Sequence, residues 1–165
     1  MQAFNDAIDA SQIAAFEVRH VAMWTRHKAV GYLQAAEQIT ADQGTQEPKY
    51  FLYSHAIELA LKAYLLVSGH SERECVKLGH DIAGALRAAQ AHGLTLSELH
   101  SGIVESLSRE HNRPFSFRYF NKLGWAAPGF ERVSECCKAV IGQVQGAIFA
   151  ANELSLSPEH VALIR

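Results

Sequence analysis

Cysteine is scarce in this chain, with three among 165 residues, and two of them, Cys136 and Cys137, are adjacent. That arrangement fits neither a disulfide framework nor the Cys-x-x-Cys spacing of zinc and redox sites, so a reducing, cytoplasmic setting is expected. Nor is there a basic excess: the formal net charge is -2, which removes the global positive field of a non-specific nucleic-acid binder and leaves only local patches. No apolar run approaches the roughly 20 residues that a bilayer span needs, and Met1 to Asp9 carries two acids and no basic residue, so neither a signal peptide nor a membrane partner is expected. Also missing are Gly-x-x-x-x-Gly-Lys, His-Glu-x-x-His and any Cys/His quartet, so no Walker-type site, no metal and no cofactor is expected. His20 and His27 share a helix face with Trp24, yet seven residues is roughly 10.5 Å of rise, too far for both to reach one ion.

What is present is hydrophobic content of 48% in a length usual for one domain, so residues 1–165 are read as a single domain able to bury a core without staples. The four prolines, Pro48, Pro114, Pro128 and Pro158, sit at breaks between periodic segments. Ile13, Phe16, Trp24, Leu33 and Ile39 predict a long amphipathic helix to about Asp42, closed by the break Gln43 to Pro48. A second helix is expected from about Lys49 to Ser68, ended by Gly69, followed by a polar connection through Ser71, Glu72 and Arg73. Asp81 is placed to cap a third helix that stops at Gly93, and Thr95-Leu-Ser-Glu98 has the form of a capping box for a fourth. After a packed loop around Phe115 to Phe120, Phe130 to Asn152 predicts another helix, with Val133, Val140, Ile141, Val144, Ile148 and Phe149 inward and at least one of Cys136 and Cys137 in the core. Ser157-Pro158-Glu159 then opens a short terminal helix. The fold class expected is all-α: an antiparallel helical bundle of four or five main helices.

The second helix is apolar nearly all round and carries one narrow polar stripe of Ser54, His55, Glu58 and Lys62. Two readings of Glu58 and Lys62 stand. They are an ordinary i,i+4 helix pair, or the stripe meets His80 or Asp81 in a buried polar network.

This helix, His55-Ala-Ile-Glu58-Leu-Ala-Leu-Lys62-Ala-Tyr-Leu, followed after a loop by Gly79-His80-Asp81-Ile and Leu86, resembles the higher eukaryotes and prokaryotes nucleotide-binding (HEPN) domains over Pro48 to about His92. The resemblance implies an antiparallel helical bundle, frequently a homodimer, of the kind found in RNA-cleaving toxins, phage-defence proteins and non-catalytic binding modules. Ribonuclease members carry Arg, four to six residues, then His, near the start of a late helix. Here Arg73 with His80 and Arg87 with His92 meet the spacing, about as many pairs as chance supplies, and neither has the late-helix context. His80 with Arg73 is the catalytic pair the resemblance offers.

The densest local basic patch runs from Arg109 to Lys122. Its Arg109, His111, Arg113, Arg118 and Tyr119 are candidate ligand contacts, the arginines on phosphates and the interleaved aromatics under bases. The same aromatics could instead plug one end of the bundle while the arginines cap helix ends. The function expected is therefore a HEPN-like RNA- or nucleotide-associated module of a prokaryotic toxin or defence system. The alternatives are a non-catalytic structural or protein-interaction bundle and a metal-independent endoribonuclease with a divergent Arg/His pair.

Overall fold

The computed structural model describes residues 10–40, 46–112 and 126–155, with side chains over 16–40, 46–112 and 126–151. Among these residues the protein is all-α: α1 (Ala10–Gln38), α2 (Gln46–Val67), α3 (Glu72–Lys77), α4 (Ile82–Ala91), α5 (Glu98–His111) and α6 (Phe130–Ser155). The packed aromatic loop at Phe115 to Phe120 and the terminal helix at Ser157 fall outside the described residues.

The central element is α2, which packs against each of the other five. Its fully buried Ala56, Ile57, Ala60, Leu61, Ala63 and Leu65 surround the helix and leave little of it for solvent. Such a helix is stabilised by what packs on it. Contacts fix the directions of its neighbours. Lys49 Nζ donates to the Ile39 carbonyl at 2.8 Å, and the His55 ring meets Tyr32, so α1 and α2 run antiparallel. Ala83 with Ser108 and Gln90 with Ser101 make α4 and α5 antiparallel as well. Along α6, Phe130 stacks on Tyr50 and the Cys137 thiol meets the Tyr53 carbonyl, so α6 runs alongside α2 in the same direction.

The inward face of α1 differs from expectation. Phe16 and Trp24 are exposed, and the buried side is carried by Ala22, Ala29 and Ala36 with Leu33. Alanines seven apart lie on one face, and their small side chains let α1 approach α2 closely, which a row of aromatics would prevent. Phe149 likewise points outward from α6, while Val133, Val140, Ile141, Val144 and Ile148 are buried with both Cys136 and Cys137. Burial pushes the Cys136 thiol up to about 12 and the Cys137 thiol well above its ordinary value.

Helix ends follow local chemistry. Gly69 has φ 98° and closes α2 with the His70 N–H donating to the Leu65 carbonyl, a Schellman-type stop that a residue with Cβ enters only under strain. Pro48 lies in the first turn of α2, where a missing N–H costs nothing, rather than in the preceding break. The expected polar connection at Ser71 is in fact the capping box of α3: its hydroxyl accepts from the Glu74 N–H, and the Glu74 carboxylate accepts from the Ser71 N–H. Asp81 caps α4 as expected, accepting from the Gly84 N–H at 2.9 Å. For α5 the cap is Ser97 and not Thr95, because Thr95 is bonded to Gln143 of α6. No helix among the described residues is long and apolar enough to cross a membrane.

Candidate functional site

The polar stripe of α2 is folded inside one chain, and its centre is Glu58. The side chain of Glu58 is 4% exposed, and three imidazoles from three parts of the chain surround it. A carboxylate only accepts, so the rings must donate. Accordingly, Nε2–H of His111, from the end of α5, donates to Glu58 Oε2 at 2.8 Å, and Nδ1–H of His80, between α3 and α4, donates to the same oxygen at 3.0 Å. His55 Nδ1, one helical turn before Glu58, lies 3.6 Å from Oε2, too long for a hydrogen bond, and has no other partner. The second oxygen, Oε1, accepts from Lys62 Nζ at 2.7 Å, and that ammonium also donates to the Gly79 carbonyl at 2.8 Å.

The arrangement is graded from core to solvent. The His111 side chain is fully buried, that of His55 is 23% exposed and that of His80 is 45% exposed. Burial alone would push the Glu58 carboxyl up, but the donors, His111 foremost, outweigh it and hold the group far below the ordinary carboxylate range. Phe51 stacks parallel to the His55 ring and Tyr32 meets it edge-on, which fixes its orientation. His80 and His111 face each other edge-on with centroids 5.5 Å apart. Ser54, also on the stripe, is fully buried with an unpartnered hydroxyl.

Beside the cluster lies an open cleft of about 530 Å³ between α4 and the end of α5, lined by Asp81, Ala83, Arg87, Glu105, Ser108, Arg109 and Asn112. Ser108 ties its floor together: the hydroxyl accepts from the Ala83 N–H at 3.0 Å and donates to Asp81 at 3.4 Å. Arg87 reaches Asp81 at 3.9 Å across an exposed gap. Two guanidinium groups therefore border the cleft, together with the carboxylates of Asp81 and Glu105.

Several expected residues are brought together here and others are not. Glu58, Lys62, His55 and His80 meet, so the buried-network reading of the stripe holds and Glu58–Lys62 is not merely a surface pair. Asp81 stays out of that network, occupied by its cap and by Arg87. His111 was expected in an exposed basic patch and is instead buried against Glu58, because the inward face of α5 continues through Leu107, Ser108 and His111. Arg109 is exposed on the cleft; Arg113, Arg118 and Tyr119 lie outside the described residues. Arg73 is an exposed residue of α3, and His92 meets His70 edge-on rather than Arg87. Against protein-family models, curated proteins and solved structures, the chain gives no match.

Proposed function

We propose that this chain is a HEPN-like module that binds RNA at the Arg87–Arg109 cleft, in a prokaryotic toxin or defence setting that the sequence resemblance implies. The observation that carries the reading is the meeting of the two resemblance blocks: Lys62 donates to the Gly79 carbonyl and Glu58 holds His80. Residues some twenty positions apart thus form one polar unit. Guanidinium groups grip phosphate oxygens. The row Phe16, Met23 and Trp24 on α1, exposed and apolar, supports self-association as a homodimer within this reading. The same row is what favours the rival reading, a protein-interaction bundle.

The test is fluorescence anisotropy of labelled single-stranded RNA in EDTA, repeated across salt concentrations. The reading predicts binding that weakens with salt and a slope that falls by about 0.7 for each phosphate contact removed, in Arg87→Ala and Arg109→Ala. Binding that is absent, or unchanged in both variants, would leave the interaction bundle standing. RNA cleavage in EDTA that disappears in a folded His80→Ala protein would extend the module to a metal-independent endoribonuclease.

A further inference from the structure

We infer that His55, Glu58 and His111 form a binding site for a divalent first-row transition-metal ion, zinc by preference. The donor atoms His55 Nδ1, Glu58 Oε2 and His111 Nε2 all lie within 4.8 Å of one another. Tetrahedral zinc with bonds near 2.0 Å sets its ligands about 3.3 Å apart. Around Glu58 Oε2 the two ring nitrogens stand at 2.8 and 3.6 Å, on either side of that value, so a contraction of at most about 1.5 Å over the whole set closes it. Two imidazoles and one carboxylate are a donor set suited to zinc and iron(II) and unsuited to calcium or magnesium, which take oxygen.

A second observation is independent of the spacing. His55 Nδ1 is buried and 3.6 Å from Glu58 Oε2, beyond hydrogen-bond length, so in a neutral ring its desolvation is not repaid by a hydrogen bond. A metal ion supplies the missing partner. Supporting contacts are in place as well. Lys62 holds Oε1 and so turns Oε2 toward the imidazoles, while Tyr32 and Phe51 fix the His55 ring. His80, 45% exposed, stands on the solvent side of the set with Nδ1 3.0 Å from Oε2. On binding, the His111 proton moves from Nε2 to Nδ1, which is buried and has no hydrogen-bond partner among the described residues, a cost that the metal bonds must outweigh. The Lys62 ammonium, held on the other carboxylate oxygen, opposes the added positive charge and weakens the site.

The site was hidden in the sequence because its ligands are spread over two helices and neither His-Glu-x-x-His nor a cysteine pair marks it. It does not depend on RNA binding, and its test uses no RNA. Untagged full-length protein, stripped with EDTA and dialysed free of it, is titrated with zinc chloride by calorimetry and with cobalt chloride by visible absorption. One ion per chain and an intense tetrahedral cobalt band are expected. Affinity falls by about 100-fold or more in His55→Ala and in Glu58→Gln, and is unchanged when the separate pair His70 and His92 is removed by His70→Ala with His92→Ala. Circular dichroism establishes that each variant is folded, and the wild-type cobalt spectrum stands whether or not Glu58→Gln folds. No uptake at about 100 μM zinc, a weak octahedral cobalt spectrum, or uptake lost with His70 and His92 instead of His55 would overturn the assignment.

Discussion

Removing the Glu58 side chain has a cost that can be worked from its contacts. In Glu58→Ala the buried His111 N–H loses its acceptor, and an unsatisfied donor of this kind costs about 1–3 kcal/mol. One buried methylene, Cγ, is lost at about 0.8 kcal/mol. Lys62 keeps the Gly79 carbonyl and reaches solvent, so its share is below about 1 kcal/mol. The sum is about 2–5 kcal/mol, overlapping the range seen when one partner of a buried ionic contact is deleted. For a domain of this length that lowers the thermal midpoint by about 4–20 °C. The assay is urea denaturation followed by circular dichroism, in EDTA so that bound metal adds nothing to either protein. A double-mutant cycle sharpens it: once His111→Phe has removed the donor, Glu58→Ala should cost less by about 0.5–3 kcal/mol. A loss below about 1 kcal/mol in the single variant, or strict additivity in the cycle, would refute the buried-acceptor account.

Other consequences follow from the same contacts. Cys136 and Cys137, their thiols raised by burial, should resist an aromatic disulfide reagent at pH 8 in the folded protein, and all three cysteines should react in urea; rapid labelling of either one before unfolding would contradict the core assignment. Asp81→Ala should cost about 0.5–2 kcal/mol through loss of the α4 cap, whereas Asp81→Asn, which keeps an acceptor, should be close to neutral in the same denaturation assay. Glu37 on α1 accepts from Lys138 and Ser134 of α6, and these donors lower its carboxyl below the ordinary 4.5. Its contribution to stability is therefore full above that value and is lost as pH falls through the lower folded one; the melting difference between wild type and Glu37→Gln should shrink below about pH 4 and be constant from pH 6 to 8. Trp24→Ser should leave the melting temperature of a monomer unchanged and convert any dimer to monomer in light scattering; a dimer that survives would place self-association elsewhere.

Much of the fold was legible because helix ends are written in single residues. Asp81, Gly69 and Gly93 act through their own backbone or side chain, so they can be recognised without knowing the neighbours. Ser71-x-x-Glu74 carries the same kind of signature, and its acid three residues on distinguishes it from a plain polar loop. Thr95 was misleading because a tertiary bond to Gln143, 48 residues away, claims it and passes the cap to Ser97. The inward face of α1 was hidden for a different reason. Hydrophobicity ranks Phe16 and Trp24 above alanine, but close packing on α2 selects small side chains, and that preference exists only once the partner helix is in place.

The candidate site divides the same way. The stripe of His55, Glu58 and Lys62 follows from helical spacing, and a buried carboxylate demands donors, so His80 was within reach as a partner. His111 was not, since its contact with Glu58 spans 53 residues and depends on how α5 lies against α2. A local count of arginines and aromatics therefore assigned it to the surface.

The convergence of imidazoles on Glu58 is tested most directly by long-range proton–nitrogen NMR of the histidine rings in metal-free protein. The account predicts His111 as a single Nε2–H tautomer and His80 with its proton on Nδ1, both losing their distinct nitrogen shifts in Glu58→Gln. Histidine signals that all resemble freely exchanging surface rings, or a His111 signal indifferent to Glu58→Gln, would contradict it.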